Sequence, residues 1–444
     1  MFDQFWAASV DLLWGLPLVI FILCAGVYFA FISGMRPLTG FTHAFAILSG
    51  RYDRKDAPGE VSHFQALCVA LSGTIGMGNI AGVAIAISMG GPGAIFWMWV
   101  AGLLGMIIKF FTCTLACLYR KKDEDGIEQG GPMYFIELGL GPAFKPLAIL
   151  FAVAGLIGCV PMFQVNQLAS LLESELSISR LLTGLVAMSF IAVIILGGIK
   201  RVGLVAARIV PLMFIIYVSA SLLVIFINIE TVPSLLATIF TSAFGLEAGI
   251  GGATGIAFKE VMVTGIKRAI FSNEAGVGTE ALAHGAARTR EPVREGLIAM
   301  LGPFFDTHIV CTCTALVILL SGISTDGSGV LIAASAFNDS LPGVGDMLVY
   351  LVFLLFALTT MLTYSYYSIK CARYLFGKRI GSQFVYFYLG LIPLCAIWTQ
   401  ATIINIIDSM FALMIFPTML TTLLLAKKVK QEMQRYFNNL DIDS

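Results

Sequence analysis

Apolar runs of membrane-spanning length recur along nearly the whole chain of 444 residues. A helix needs about 20 mainly apolar residues to cross the hydrocarbon core of a bilayer. The composition agrees, because 58% of the residues are hydrophobic and 12% are charged, where globular proteins carry roughly a quarter charged residues. The pattern predicts an all-α integral membrane protein with about eleven transmembrane helices, at residues 13–33, 64–88, 93–118, 146–172, 179–198, 206–228, 233–270 (interrupted), 295–320, 345–370, 383–400 and 404–426.

The distribution of basic residues orients these spans. Cytoplasmic loops are enriched in Lys and Arg, and the alternation predicts a multi-pass protein of the cell inner membrane with its N-terminus outside and its C-terminus in the cytoplasm. The net charge is zero, so no global attraction to nucleic acid is indicated. The cytoplasmic clusters are Arg51, Arg54 and Lys55; Arg120, Lys121 and Lys122; Lys200, Arg201 and Arg208; Lys267, Arg268, Arg288, Arg290 and Arg294; Lys370, Arg373, Lys378 and Arg379; and Lys427, Lys428, Lys430 and Arg435.

The chain is predicted to form one transmembrane domain, because no polar stretch between the spans is long enough for a soluble domain. Residues 36–50 are too short and too mixed to cross, and they suit an amphipathic helix on the cytoplasmic surface. An ordinary loop is the alternative. The predicted parts are an extra N-terminal span (1–35), a first repeat (60–230), a second repeat (231–428) and a cytoplasmic tail (429–444).

Two glycine clusters interrupt predicted spans at membrane mid-depth. GTIGMGNIAG covers residues 73–82 in the second span, and GIGGATG covers residues 249–255 in the seventh. Glycine lowers helix propensity, and backbone groups freed inside a membrane are tolerated only where they line a cavity or are buried in protein. Because the clusters lie five spans apart, their helices start on opposite sides of the membrane. This is typical of inverted five-helix repeats with two discontinuous helices.

The half-helix ends at such breaks predict the binding groups. Helix N-termini present N–H groups to an anion and unwound carbonyls coordinate a cation, which suits an amino acid and a sodium ion. We expect the N–H groups of Met77, Gly78 and Asn79 to face a carboxylate, and the Asn79 side chain to support the backbone or bind a ligand. The backbone around Gly252 and Ala253 is expected at the ammonium group. A kinked packing helix without a ligand is the alternative for the first cluster.

Polar side chains in other spans are candidates for the same site. The ninth span offers the hydroxyls of Thr359, Thr360 and Thr363 to an ion or a substrate, although such hydroxyls often bond the carbonyl one turn back. The fourth span offers Gln164 and Asn166 to the pocket or its gate. Hydrogen bonding between helices is an equal alternative for these two amides.

Two intramembrane acids and one connector complete the candidates. Asp306 and Asp408 lie within predicted spans, and such acids indicate function by default. A structural role coupled to gating is preferred for Asp306, and pairing with a neighbouring helix end is the alternative for either acid. The segment FSNEAGVGTE, residues 271–280, is expected on the cytoplasmic side, as an inner gate or hinge or as a capped connector.

An enzyme is not expected. An intramembrane hydrolase needs a nucleophile and a base brought together, and no G-x-S-x-G element is present. The histidines are dispersed along the chain, and among them only His308 is expected to lie deep in the membrane; they are His43, His63, His284 and His308. A channel is a second alternative, since broken glycine-rich helices also build selectivity filters.

Long motifs resemble the alanine or glycine:cation symporter family over nearly the whole chain. The resemblance implies the leucine-transporter-like fold of two inverted five-helix repeats, preceded here by one extra span. It also implies sodium-driven uptake of alanine, glycine or a similar amino acid, without covalent chemistry. No obligate protein partner is expected. The matching motifs are GTIGMGNIAGVAIAISMGGPGAIFWMW (73–99), GIEQGGPMYFIELGLG (126–141), FSNEAGVGTEALAHGA (271–286), EPVREGLIAMLGPFFDT (291–307) and SYYSIKCARYLFG (365–377).

The same resemblance implies a residue-by-residue site. The implied substrate contacts are Gly76, Gly78, Asn79, Gln164, Gly252 and Thr360, and the implied sodium ligands are carbonyls near Ser72 and Ile75 with the hydroxyls of Thr359 and Thr360. This chain departs from the commonest family pattern at Met77, at Tyr364, and at Ser368 and Ile369. Met77 and Tyr364 would alter the size and polarity of the pocket, so the expected cargo is a small neutral amino acid and not alanine specifically. A proton-coupled amino acid permease of the same fold is the alternative.

Overall fold

The computed structural model describes residues 2–54, 56–245, 253–324 and 329–443, and these residues are almost entirely helical. A short antiparallel hairpin pairs β1 (Lys121–Lys122) with β2 (Glu128–Gln129). The helices of the first half are α1 (Phe2–Leu13), α2 (Leu16–Ser33), α3 (Arg36–Thr39), α4 (Phe41–Leu48), α5 (His63–Thr74), α6 (Val83–Gly90), α7 (Gly93–Leu118), α8 (Pro132–Leu140), α9 (Lys145–Gly158), α10 (Met162–Leu176), α11 (Arg180–Ile195), α12 (Gly198–Ile227) and α13 (Val232–Ala243).

In the described part of the chain, two π-helical segments, Gly78–Gly82 and Phe304–Cys311, interrupt the α-helical hydrogen bonding, and Pro142–Phe144 is a 3-10 turn. The second half continues the helical pattern of the first. The helices of the second half are α14 (Ala253–Asn273), α15 (Glu280–His284), α16 (Pro292–Ala299), α17 (Leu301–Pro303), α18 (Thr312–Ser321), α19 (Gly329–Ser340), α20 (Gly345–Ile397) and α21 (Gln400–Asp443).

Several of these helices have the length and composition of membrane spans. Within the described ranges, seven helices are long and apolar enough to cross a bilayer, and the bent pair His63–Thr74 and Gly78–Gly90 makes an eighth. Arg180–Ile195 and Val232–Ala243 are shorter apolar helices. The long helix α20 is two helices joined at a kink, where Gly377 has a φ of 77°. The all-α multi-pass architecture is confirmed, whereas the count of about eleven spans and the two repeats stay predictions.

The buried core lies where the helices face one another, and apolar side chains cover the outside as well. Large side chains such as Phe111, Phe163 and Tyr217 are fully buried. By contrast, α12 exposes Leu212 and Phe226 on its outer face. Exposed apolar faces of this kind are stable in lipid, which is as apolar as the side chains themselves.

Residues 36–50 are helical rather than an ordinary loop. They form α3 and α4, and α4 buries Ala44 and Ile47 while it exposes Phe45. The loop alternative is therefore wrong, and the position of α4 on the cytoplasmic surface stays a prediction.

Lys267 and Arg268 were predicted from their charge to lie in a cytoplasmic loop, but they lie within a helix. Both are in α14, where Lys267 Nζ lies 2.7 Å and Arg268 NH2 2.5 Å from Asp408 Oδ2. Asp408 is almost fully buried in α21, and its backbone carbonyl accepts a hydrogen bond from Trp14 Nε1. The carboxylate offsets one of the two positive charges inside the protein and gives both cations a direct partner. Asp408 therefore has the pairing role, and the two basic residues give no information on orientation.

Candidate functional site

The predicted break in the second span is confirmed. Helix α5 ends at Thr74, Ile75 adopts an extended backbone (φ −71°, ψ 96°), and the chain resumes as the π-helical turn Gly78–Gly82. The two halves are bent by 51°. All residues of this break are buried. The glycines weaken the helix at this depth, and burial within the protein makes the irregular backbone tolerable there.

Asn79 holds the broken backbone together. Its Oδ1 accepts a hydrogen bond of 2.9 Å from the Gly76 N–H, and its own backbone N–H donates to the Gly76 carbonyl at 3.1 Å. Among the three N–H groups predicted to face a carboxylate, that of Asn79 is therefore occupied by the turn. Those of Met77 and Gly78 remain the candidates.

The second break lies at residues 274–279, inside the segment that was expected at the cytoplasmic end of the span. Helix α14 ends at Asn273, and α15 begins at Glu280. Between them Glu274, Gly276 and Gly278 have φ values of 55°, 83° and 93°, in the left-handed region that favours glycine. All of these residues are buried. This segment is an internal helix break rather than a connector that follows the span, and its role as an inner gate or hinge stays a prediction.

The other predicted position for this break, residues 249–255, is not supported. Residues 249–252, including Gly252, lie outside the described residues. Ala253 is the first residue of α14, which then continues for 21 residues without interruption to Asn273. At the rise of an α-helix, Ala253 is roughly 30 Å from the observed break. Ala253 therefore cannot share a small-molecule site with the first break.

The two breaks meet in the protein interior. A Cβ placed on Gly78 would lie 3.4 Å from Phe271 Cδ1 and 3.5 Å from Ser272 Cα, so the backbone of the first break packs on the end of α14. The Phe163 ring of α10 packs edge-on against Phe271, with ring centroids 5.0 Å apart. The two breaks are therefore in direct van der Waals contact at Gly78.

Asp306 connects the two breaks. Its Oδ1 accepts a hydrogen bond of 2.6 Å from Asn79 Nδ2, and its Oδ2 accepts 2.9 Å from the Ser272 hydroxyl. Thr307 Oγ1 also donates to Oδ2 at 2.8 Å. The carboxylate is fully buried on the π-helical segment Phe304–Cys311. Its three neutral donors satisfy the hydrogen bonds of this buried acid, although they do not neutralise its charge.

The residues predicted to bind sodium lie where α5 packs on α20, in a hydroxyl cluster made of Ser72, Thr359, Thr360 and Thr363. The Ser72 hydroxyl is hydrogen bonded to Thr363 Oγ1 and donates to the Thr359 carbonyl at 3.2 Å. Thr360 Oγ1 would lie 2.3 Å from a Cβ on Gly76, so it touches the first break directly. Ile75 is buried at the end of the same half-helix.

The hydroxyls of Thr359 and Thr360 also make the alternative interaction predicted for them, a hydrogen bond to the backbone carbonyl one turn earlier in the helix. Thr359 Oγ1 donates to the Leu355 carbonyl at 2.8 Å, and Thr360 Oγ1 donates to the Phe356 carbonyl at 3.0 Å. A hydroxyl has one donor and two acceptor lone pairs. Donation to the backbone therefore leaves both oxygens able to bind a cation.

The two amides of α10 have different surroundings. Asn166 Nδ2 donates to the carbonyls of Cys395 and Trp398, at 3.3 and 2.8 Å, which is the interhelical role. Gln164 is buried, and its Oε1 has no hydrogen-bond partner in the described part of the chain. Gln167 is likewise buried with neither amide atom paired there. Gln164 keeps its place as a candidate, and Gln167 joins it.

Tyr364 contacts the second break through Glu274, an acid that was not among the residues predicted from the sequence. Its hydroxyl is hydrogen bonded to Glu274 Oε1, and the Thr279 hydroxyl is bonded to Oε2. Glu274 is 1% exposed. The run Asn-Glu-Ala-Gly-Val-Gly at residues 273–278 carried a signal for this site, because it combines two glycines with residues that favour turns.

The histidines are not all dispersed, since the fold brings two of them onto one carboxylate. His63 Nδ1 is hydrogen bonded to Glu295 Oε1, and His284 Nδ1 lies 2.6 Å from Oε2. All three side chains are at most 2% exposed. They belong to the start of α5, the end of α15 and the start of α16. This His–Glu–His cluster therefore ties the half-helix that leads into the first break to the half-helix that follows the second.

Backbone contacts reinforce the His–Glu–His cluster. Val61 and Ala287 form a parallel β-bridge, and the Arg288 N–H donates to the Val61 carbonyl at 2.8 Å. Arg120 NH2 donates to the Ala287 carbonyl at 2.7 Å, and its NH1 lies 3.3 Å from the Pro58 carbonyl. The segments that lead into α5 and out of α15 are thereby closed against each other.

Comparison with known proteins points in one direction. The model of the sodium:alanine symporter family matches residues 1–443. A transporter of Haemophilus influenzae is 41% identical, over 98% of this chain and 96% of its own length. The sodium/alanine symporter AgcS of Methanococcus maripaludis is 38% identical, over 95% of this chain and 94% of its own.

A solved structure matches the fold. The crystal structure of MhsT in complex with L-phenylalanine, a transporter of the leucine-transporter-like fold, superposes with a TM-score of 0.57. The match covers 83% of this chain and 89% of that one at 15% sequence identity. This likeness bears on the fold alone.

Proposed function

Because the chain belongs to the sodium:alanine symporter family and is a secondary transporter rather than an enzyme, we propose that it carries a small neutral amino acid into the cell together with sodium. The observation that carries this proposal is the meeting of two helix breaks in the buried interior, with a hydroxyl cluster beside the first break. Broken helices at such a position are the usual binding elements of secondary transporters.

The amino acid is proposed to lie between the two breaks. The N–H groups of Met77 and Gly78, at the start of the second half of the first broken helix, suit the carboxylate. The carbonyls at the C-terminal end of α14, near Phe271 and Ser272, suit the ammonium group, in place of the predicted residues 252 and 253. Gln164 offers its unpaired Oε1 to the same group.

The sodium ion is proposed to lie between α5 and α20. The ligands would be the carbonyls near Ser72 and Ile75 and the hydroxyls of Thr359 and Thr360, because a hard cation prefers several oxygen ligands. The support is that Ser72 contacts the threonine-bearing turn directly and that Thr360 touches Gly76.

The transport cycle is proposed to be alternating access, with the N-terminus outside, the C-terminus inside and about eleven spans in two inverted repeats. In that orientation the His–Glu–His cluster lies at the cytoplasmic end and closes the inner path to the site. Met77 is fully buried beside the first break, and Tyr364 is hydrogen bonded to Glu274 of the second break. Both are proposed to limit the size of the side chain that the site accepts.

Uptake of labelled alanine into proteoliposomes is expected to require an inward sodium gradient. Replacement of sodium by potassium should lower the initial rate about 5- to 150-fold, the usual range for coupled binding of two ligands. A panel of small neutral amino acids as competitors identifies the cargo. Uptake that persists in potassium buffer with an inward proton gradient would support the proton-coupled permease instead. Counterflow into preloaded vesicles separates a carrier from a channel, because a channel shows none.

Thr360→Val is expected to raise the half-saturating sodium concentration about tenfold, since loss of one ligand oxygen costs roughly 1.4 kcal/mol. The valine has the shape of threonine without its hydroxyl. Thr360→Ser, which keeps the oxygen, is the matched control and should stay near the wild type. Uptake measured against sodium concentration tests whether the Thr360 hydroxyl binds the ion. Equal sodium dependence in both variants would show that this hydroxyl is not a sodium ligand.

A further inference from the structure

The buried Lys109 has no ion-pair partner among the described residues, and its ammonium group makes no hydrogen bond there to a carbonyl or hydroxyl of the kind that the buried Lys370 makes. Lys109 lies in the middle of α7 and is 1% exposed. The ion pairs of the described residues, taken at 4.0 Å or less, do not include it. An isolated ammonium group is expensive to bury, and an ionisable residue within a membrane segment indicates function by default. Lys109 therefore requires an explanation that packing alone does not provide.

The surroundings of Lys109 place it beside both helix breaks. A Cβ on Gly105, one turn earlier in α7, would lie 2.9 Å from Ala275 Cβ and 3.8 Å from Asn273 Nδ2, both in the second break. Opposite Lys109, a Cβ on Gly302 would lie 3.4 Å from Lys109 Nζ. Gly302 precedes Asp306 by four residues, so the ammonium group lies about one helical turn from the acid that joins the breaks.

Two buried acids lie within electrostatic range of this lysine, Asp306 on the π-helical segment and Glu274 in the second break. A third buried acid, Glu280 at the start of α15, contacts α7 at Thr112, three residues after the lysine. Glu280 Oε1 accepts a hydrogen bond of 3.0 Å from Thr112 Oγ1, whereas its Oε2 has no partner among the described residues. The titratable group that α7 itself adds here is the thiol of Cys113.

The hydrogen-bond donors of these acids are neutral side chains, so the charge of the cluster is not balanced by direct contacts. Asn79, Ser272 and Thr307 donate to Asp306, as described above. In a low-dielectric interior, a positive charge several ångströms away still stabilises carboxylates substantially. Lys109 lies within range of Asp306 and Glu274 to supply that charge.

We propose that Lys109 is a positioning residue, a resident cation that offsets the carboxylates around the two breaks in place of a further cation from solution. The inference rests on the proposed function for its transport readout. When the charge of Lys109 is removed, an additional monovalent cation has to take its place. Sodium and the proton are the two available sources.

The experiment compares Lys109→Gln, Lys109→Arg and the double variant Lys109→Gln/Glu280→Gln in proteoliposomes with labelled alanine. One series varies sodium at fixed pH, and the other varies pH at fixed sodium. Lys109→Gln is expected to need at least about tenfold more sodium for half-maximal uptake, or to shift its pH optimum by about one unit toward acid, where a proton supplies the charge. Lys109→Arg keeps the charge and should follow the wild type.

The double variant tests the charge balance itself. Removal of one acid should return the sodium and pH profiles toward those of the wild type. If Lys109→Gln does not fold well enough to be purified but the double variant does, that result supports the same charge balance. A Lys109→Gln protein with wild-type profiles overturns the inference. Equal loss of activity in the Gln, Arg and double variants, with unchanged melting temperatures, also overturns it. Absence of any sodium dependence in the wild type would count against the proposed function instead.

Discussion

Asp306→Asn is expected to lower the initial rate of amino acid uptake by about 10- to 150-fold. Asp306 accepts hydrogen bonds from Asn79 of the first break and from Ser272 of the second. An asparagine has one acceptor oxygen in place of two, so one donor loses its partner, and the negative charge is lost as well. A hydrogen bond to a charged group is worth about 1.5 to 3 kcal/mol, which corresponds to that range of rate.

The matched control for this variant is Asp339→Asn, which makes the same change at an exposed acid in α19. Its uptake should remain close to that of the wild type. Both proteins are compared for melting temperature in detergent, so that loss of fold is separated from loss of transport. A folded Asp306→Asn protein with wild-type uptake would show that the two breaks do not need this carboxylate.

Glu295→Ala is expected to open the inner end of the protein and to reduce net uptake at least tenfold. His63 and His284 both lose their acceptor, and the contact between the half-helices is weakened by about 1.5 to 3 kcal/mol per bond. Such a loss shifts an equilibrium between closed and open inner ends by at least about tenfold. The amino acid and the sodium ion would then leak back from the site, because the state that encloses both of them is no longer closed on the inner side.

Cys117 reports the opening directly. Its thiol lies 3.4 Å from the His284 carbonyl and is buried. The rate of its modification by a water-soluble maleimide, followed by mass spectrometry, should rise about tenfold in Glu295→Ala. The control is Glu291→Ala, at a partly exposed acid just before α16 that pairs with Arg435. An unchanged rate in a folded Glu295→Ala protein would exclude a closing role for the cluster.

The sequence predicted the features that are encoded locally. Apolar runs identified a helical membrane protein, and glycine density located the break in the second span, which the 51° bend confirms. The resemblance to the alanine or glycine:cation symporter family is confirmed by the match over residues 1–443. The candidates Ser72, Thr359 and Thr360 lie in one cluster with the first break, and their role in binding sodium stays a proposal.

The second break could not be located in the same way. Both 249–255 and 273–278 are rich in helix-breaking residues, and composition does not rank them. At 274–279 the irregular backbone is stabilised by distant side chains, because Tyr364 bonds Glu274 and Asn273 Nδ2 donates to Thr307 at 2.9 Å. Lys267 and Arg268 have the charge of a cytoplasmic loop cluster in the sequence. In the structure, ion pairs with Asp408 allow both residues to lie within a helix in the protein.

By itself, then, the sequence determined that this protein resides in a membrane, which family it belongs to and where its second span breaks, because each follows from residues that are adjacent in the chain. Only the tertiary structure decided where the second break lies, what Asp306 joins and which histidines share Glu295. Asp306 and Asn79 are 227 positions apart, and His63 and Glu295 are 232 apart. The packing of whole helices brings such pairs together, and no local pattern records that packing.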